Sequence, residues 1–138
     1  TVLVLLEDIT KEIEDDVQMY TVMGGIYVKK GMLDESYKAY KNALAIDPNN
    51  KFAIFGMGVY YINRSNEYVN TPESVSQEES DRIVKEQHKN IDKAVVYFNQ
   101  YLEIEPGDRP TLTTLKQIYQ AKGNEEKLAE INKQLMGE

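Results

Sequence analysis

The glycine and proline residues that end predicted helices recur in a similar pattern along the chain. On either side of Gly31, apolar residues recur at spacings of three and four, which is the pattern of amphipathic helices. Asp34 is placed to cap the second of these helices, and Pro48 stops it, because a proline inside a helix removes a hydrogen bond and clashes with the preceding turn. Similar signals return at Pro106 and Gly123. We therefore predict an all-α fold built from an internal repeat of two helices and a turn.

Composition narrows the classes of function. The 138 residues carry 16 Lys and Arg against 23 Asp and Glu, a formal net charge of −7. A nucleic-acid binder needs a basic face to neutralise phosphates, so we predict no nucleic-acid partner. The absence of cysteine excludes disulfides and thiolate catalysis, and one histidine cannot supply a histidine-rich metal site. We predict that the chain needs neither a metal nor a cofactor.

The beginning of the chain is acidic and briefly apolar. Residues 1–16 hold six acidic residues and one basic residue, which gives −5, so the remaining residues total only −2. The apolar run at 2–6 is far shorter than the roughly 20 residues that span a bilayer, and it lacks the features of a signal peptide. We predict no membrane insertion, and a start at Thr1 that was created by processing or truncation.

The unit from 17 to 50 resembles the tetratricopeptide repeat, a helical hairpin of about 34 residues. Counted from Val17, the positions that match the family pattern are Tyr20, Met23, Gly24, Tyr27, Gly31, Ser36, Tyr40, Ala43 and Pro48. The resemblance implies a right-handed superhelical stack of antiparallel helix hairpins, a tetratricopeptide solenoid of about seven helices with one hairpin lengthened.

The same resemblance divides the single domain 1–138 into four parts. A second match carries Ile54, Met57, Gly58 and Tyr61, resumes at Ala94, Phe98 and Pro106, and is followed by a third match at Leu112, Leu115, Tyr119 and Gly123. We predict, in order, the leftover second helix of a preceding repeat at 1–16, a repeat at 17–50, a repeat at 51–108 with an insertion at about 63–87, and a C-terminal capping repeat at 109–138. The arrangement resembles the C-terminal part of bacterial tetratricopeptide proteins with an enlarged penultimate repeat. That resemblance leaves the localisation open between the cell envelope or periplasm and the cytoplasm.

The insertion predicts a long helix. Residues 63–69 continue the preceding helix by a turn or two, and 70–74 have turn chemistry. Ser76 followed by Glu79 forms a capping box, and nothing interrupts the helix from there to Glu105, a length of about 43 Å. We therefore expect the second hairpin to project beyond the stack. The alternative is a disordered loop with a short helix.

No motif of a catalytic site is present. The chain lacks G-x-S-x-G, a P-loop and H-E-x-x-H, so we predict that it is not an enzyme. Gly24, Gly25, Gly56 and Gly58 lie within predicted helices, where small residues permit close helix packing. His88 is expected to be an exposed surface residue. The acidic run at 12–16 lacks the spacing of a calcium loop and is expected to be a solvated helix end.

The family resemblance implies a concave surface lined by the first helix of each hairpin. The residues carried over to that surface are Gln18, Thr21, Gly25, Val28, Phe52, Phe55, Val59, Ile62, Pro110, Thr113, Gln117 and Gln120. None of them is Lys, Arg or Asn, so the carboxylate clamp of some family members is absent. The middle of the set is apolar, and we expect an apolar or aromatic peptide or helix to be anchored near Phe52, Phe55 and Val59. The alternative is that the termini or the lengthened hairpin cover Phe52 and Phe55.

These observations predict a non-enzymatic protein–protein interaction scaffold that binds a partner peptide or helix on its concave face. The alternative is a structural or capping segment of a longer tetratricopeptide protein, which self-associates through the lengthened hairpin.

Overall fold

A computed structural model describes residues 1–12, 16–68 and 74–137, and within these ranges the chain forms seven α-helices and no strand. The helices are α1 (Val2–Glu12), α2 (Val17–Lys29), α3 (Leu33–Ile46), α4 (Lys51–Asn66), α5 (Gln77–Ile104), α6 (Arg109–Lys122) and α7 (Glu125–Met136). The all-α prediction and the expected number of helices are confirmed. Over the described part of the chain, none of these helices is both long and apolar enough to cross a membrane.

The helices form a continuous array of hairpins. α2 packs against α3, α4 against α5, and α6 against α7. The second helix of a hairpin also contacts the first helix of the next hairpin, since α3 packs against α4 and α5 against α6. α1 packs against α2, and α2 also contacts α4. Because successive helices reverse direction across short connections, α2, α4 and α6 run in the same direction. We call these three the first helices.

Side-chain caps explain where the first helices begin. Asp16, Asn50 and Asp108 each precede one of these helices, and each accepts a hydrogen bond from a backbone N–H within the next three residues, at 2.9, 3.0 and 3.0 Å. Such caps satisfy donors that the first turn of a helix leaves free. α2 and α6 are followed by Gly31 and Gly123 at φ values of 72° and 66°, a left-handed backbone that glycine adopts without a steric penalty.

The predicted cap at Asp34 is wrong. α3 begins at Leu33, and the residue before it, Met32, makes no side-chain cap. The backbone closes this turn instead, because the Met32 N–H donates to the carbonyl of Tyr27 at 2.9 Å. Asp34 lies in the first turn of α3, where a carboxylate favours the helix N-terminus, and one of its oxygens is 3.7 Å from Arg64 Nη1.

The core runs through the array as three clusters of buried side chains. Met23, Tyr27 and Ala39 form the first, and Leu3 and Leu6 of α1 pack against it. The second lies between α3 and α4, and the third joins α5, α6 and α7. Their buried members are Tyr40, Ala43, Ala53 and Met57 in the second, and Ala94, Phe98, Leu112, Leu115, Tyr119 and Ile131 in the third.

The long helix of the second hairpin is present. α5 has 28 residues, about 42 Å, and the Ser76 hydroxyl accepts from the Glu79 N–H at 3.2 Å, as the capping box predicts. Lys51 Nζ lies 2.6 Å from Glu105 Oε1, which aligns the start of α4 with the end of α5. Since α4 has only 16 residues, it ends opposite about residue 90 of α5.

Residues 77–89 of α5, which we call the overhang, therefore extend about 20 Å beyond α4. The buried residues of α5 are Asn90, Ala94 and Phe98, and all three lie outside the overhang. α4 itself ends at Asn66, with a turn at 67–68, so it is slightly shorter than predicted. Most of the predicted turn at 70–74 lies outside the described residues.

Candidate functional site

The predicted partner-binding residues lie on the three first helices. We call this set of residues the inner face. On α2, Gln18 is exposed while Thr21 and Val28 are half-buried, and on α6 Thr113, Gln117 and Gln120 are all exposed. Direct packing of α2 against α4 places their parts of the inner face side by side, whereas α6 is joined to the pair through α5.

Phe52 and Phe55 differ sharply in their surroundings. Phe52 is 65% exposed, and Lys51 Nζ lies 5.5 Å from the centre of its ring. Phe55 is half-buried, with ring centroids 5.8 Å from Phe98 and 5.1 Å from Tyr101 of α5. The lengthened helix thus covers Phe55 in part and leaves Phe52 open.

Two further apolar residues of the inner face, Val59 and Ile62, are half-buried. Both pack against the core cluster of α5, α6 and α7. A partner side chain that contacts them would meet apolar atoms that the core already holds in position.

Charge is segregated between the two kinds of helix. The first helices contain no Asp or Glu, although α1, α3, α5 and α7 all do. The charged residues of the first helices are all basic: Lys29, Lys51, Arg64, Arg109, Lys116 and Lys122. Net charge and counts over the whole chain hide this pattern, which becomes visible only once the helices are bounded.

Three of these six bases are committed to acidic neighbours. The hydrogen bond to Glu105 raises the pKa of the Lys51 ammonium. Arg64 Nη1 lies 3.0 Å from Glu67 Oε2, and Lys122 pairs with Asp92 of α5. The last of these pairs holds the end of α6 against α5.

Four tyrosines form a continuous cluster across α3, α4 and α5. Ring centroids of Tyr37 and Tyr60 are 5.1 Å apart, those of Tyr60 and Tyr61 4.8 Å, and those of Tyr61 and Tyr97 5.8 Å. Burial, followed by the neighbouring phenols, raises the pKa of Tyr61 to about 12. A phenol with this pKa stays neutral at pH 7 and is unsuited to act as a general base there. We therefore interpret the cluster as side-chain packing between the three helices.

A cleft of about 690 Å³ opens between α5 and α6. Its apolar floor consists of Ile91, Ile118 and Ala121, and its rim includes His88, Gln117 and Lys122. Gln117 also belongs to the inner face, so the cleft adjoins that face at the C-terminal end of α6. His88 is exposed, as expected, but it also lines the cleft, which no sequence pattern indicates.

Comparison with known proteins gives a family match for part of the chain. The family model described as tetratricopeptide repeat matches residues 17–50, which are 34 of the 138 residues. Residues 17–50 are therefore similar to a tetratricopeptide repeat. No curated protein sequence matches the chain.

Five chains of solved structures match the fold. One of them is the human IFIT1 dimer with m7Gppp-AAAA, with a TM-score of 0.78 at 20% sequence identity. The match covers 95% of this chain but only 28% of that chain, so this protein spans about a quarter of its neighbour's length. At that identity the likeness is one of fold alone.

Within the tetratricopeptide repeat, a glycine makes close helix packing feasible. A Cβ at Gly24 would lie 2.5 Å from Tyr40 Cε1, and a Cβ at Gly56 of the next hairpin would meet the same ring from α4. A Cβ at Gly58 would likewise lie 2.6 Å from Phe98 Cε1. Gly25 differs from the prediction, because its nearest neighbour would be the Tyr40 hydroxyl at 3.8 Å.

Neither the repeat nor the rest of the described chain offers a metal centre. Across residues 1–12, 16–68 and 74–137, no group of three or more His, Asp or Glu residues could hold an ion. Asp16, part of the acidic run considered above, is the N-cap of α2, whereas Glu14 and Asp15 lie outside the described residues.

Proposed function

We propose that this chain is a non-enzymatic scaffold that binds a partner peptide or helix on its inner face. The observation that carries the proposal is Phe52, a large aromatic side chain that is 65% exposed beside the half-buried Phe55 and Val59. Exposed apolar surface of this kind commonly marks an interface. An aromatic anchor in a polar surround is also the usual composition of an energetic hot spot.

The neutral polar residues of the inner face favour a protein partner. On α6, Thr113, Gln117 and Gln120 offer neutral hydrogen-bonding groups rather than the basic track that a phosphate backbone requires. The net charge of −7 repels a polyanion at long range, and half of the bases on the first helices are already paired. The capped RNA named with the structural neighbour is therefore not what we propose for this chain.

The test is a selection of short peptides from a displayed random library on the intact chain. Phe52→Arg should weaken the selected peptides at least tenfold, because it removes the aromatic anchor. The matched control is Val96→Arg, which makes the same kind of change at a 58% exposed apolar residue of α5 and should leave affinity unchanged. Equal effects of the two substitutions, or none from Phe52→Arg, would reject the inner face as the binding site.

Self-association through α5 is a second candidate. It is supported by Val84 and Val96, which are 44% and 58% exposed on one surface of that helix. Here Val96→Arg should shift the oligomeric state toward monomer in light scattering, whereas Phe52→Arg should not. A wild-type chain that is monomeric at the concentrations used would exclude this candidate.

A further inference from the structure

The α5–α6 cleft has a composition unusual for this chain. The protein carries 23 acidic residues against 16 basic ones, yet none of the side chains that line the cleft is acidic. Its floor is apolar at Ile91 and Ile118, both half-buried, and its rim carries the nitrogen donors of His88, Gln117 and Lys122. An apolar floor with a few converging polar groups is the usual form of a binding site.

The donors at the rim remain capable of binding an anion. The Lys122 ammonium has three N–H donors, and Asp92 Oδ1 occupies one of them. The imidazole of His88 has an N–H to donate in either protonation state. A carboxylate at the rim would therefore find donors from two helices without displacing the contact between Lys122 and Asp92.

We propose that the α5–α6 cleft binds an acidic segment of the partner peptide, with an apolar side chain on Ile91 and Ile118 and a neighbouring carboxylate at Lys122 and His88. This inference rests on the proposed function, because Gln117 joins the cleft to the inner face. It assigns the partner a chemical class, a peptide that combines an apolar anchor with Asp or Glu beside a second apolar residue.

Charge complementarity supports this occupant at the cleft, whose lining residues include Lys122 and no acidic residue. The first helices carry bases only, although Lys51, Arg64 and Lys122 are each paired with an acidic neighbour. A basic peptide would place a second positive charge beside Lys122. A polyphosphate would bring more charge than the few free donors can neutralise, against a chain of net charge −7.

The experiment begins with the same displayed library and reads the consensus of the peptides that the wild-type chain retains. The proposal expects Asp or Glu next to an apolar residue, and expects Glu→Gln or Asp→Asn in the peptide to weaken binding roughly two- to fivefold. A single-stranded oligoadenylate serves as the nucleic-acid probe. If it bound more tightly than the peptides, the assignment of an acidic peptide would be overturned.

Two substitutions at the ion pair of Lys122 and Asp92 distinguish a binding role of Lys122 from a purely structural one. Lys122→Gln removes the ammonium and should lower affinity for the acidic peptide, whereas Asp92→Asn frees the ammonium and should raise it. A purely structural role for the pair predicts that both substitutions lower affinity, since both break the contact between α5 and α6. That result would overturn the proposal.

The proposal and the proposed function fail in different ways. A consensus without acidic residues that is still lost in Phe52→Arg would overturn the acidic assignment and leave the inner face as the binding site. If no selected peptide is sensitive to Phe52→Arg, both are rejected.

Discussion

The ring of Tyr40 lies between the backbones of two helices, at Gly24 on one side and Gly56 on the other. It is buried, as are both glycines, so the ring has no space into which it could withdraw. The small residues of the repeat pattern therefore have a steric cause in this chain. Gly25, next to one of them, is free of this constraint.

Replacing Gly56 and Gly25 by alanine should change the free energy of unfolding in opposite directions. Gly56→Ala should lower the free energy of unfolding by about 1–3 kcal/mol, because its Cβ overlaps the Tyr40 ring. Gly25→Ala, in an interior helical position with space for a Cβ, should raise it by about 0.5–1 kcal/mol. Urea unfolding measures both, and a destabilisation of equal size at the two positions would contradict the packing described here.

Tyr27 links α1 to the first hairpin. Its hydroxyl donates to Glu7 Oε1, and burial together with this hydrogen bond raises the pKa of Tyr27 to about 12. Because the folded state disfavours the phenolate, the contribution of this group to stability is complete below about pH 10, the pKa of an unfolded tyrosine. It is lost as the pH rises through the interval from 10 to 12.

The free energy of unfolding should therefore fall over this interval, and Tyr27→Phe should make the fall shallower. Chemical denaturation at a series of pH values gives the profile, and ultraviolet absorbance of tyrosinate gives the titration itself. Should Tyr27→Phe leave the alkaline profile unchanged, the assignment of the raised pKa to Tyr27 would be wrong.

Helix α5 consists of two parts, of which one contains buried core residues and the other does not. Residues 90–104 lie against α4 and contain Ala94 and Phe98, which belong to the core. The overhang has no buried residue, and its charged side chains include the ion pair of Glu79 with Arg82. We expect the overhang to open locally at a lower free energy than the rest of the helix.

Glycine substitutions at two exposed positions of α5 test this division. Gln100→Gly should lower the free energy of global unfolding by about 1 kcal/mol, the usual difference in helix propensity. Lys85→Gly in the overhang should lower it by less than about 0.3 kcal/mol while it speeds amide hydrogen exchange nearby. Equal losses at both positions would mean that α5 unfolds as one unit.

The sequence predicted the elements well because their signals are local. The cap at Ser76 and the apolar spacing each act within one turn of helix. The caps at Asp16, Asn50 and Asp108 are equally local, but they were identified only in the structure. Asp34 was assigned wrongly because a backbone hydrogen bond to Tyr27 closes that turn, and no side-chain pattern reports it.

The candidate site was less predictable, since its geometry depends on contacts between distant elements. Phe52 and Phe55 are equivalent in sequence pattern, and only the position of α5 separates the exposed ring from the covered one. The cleft beside His88 likewise depends on where α6 meets a helix that is distant in sequence.

At the scale of the whole molecule, the chain is an array whose two kinds of helix carry different charge. Within the described residues, the helices that contain Asp or Glu are α1, α3, α5 and α7, whereas the charged residues of α2, α4 and α6 are all basic. A net charge of −7 therefore coexists with an inner face free of carboxylates. The inner face includes the exposed ring of Phe52 on α4 and the exposed neutral residues Thr113, Gln117 and Gln120 on α6.

A partner that binds across the first helices should change their amide chemical shifts. These shifts can be recorded on the isotope-labelled chain with and without a selected peptide. We expect the largest changes at Gln18, Thr21, Phe52, Thr113 and Gln117. Changes confined to α3, α7 and the overhang, with the first helices unaffected, would show that the partner binds elsewhere.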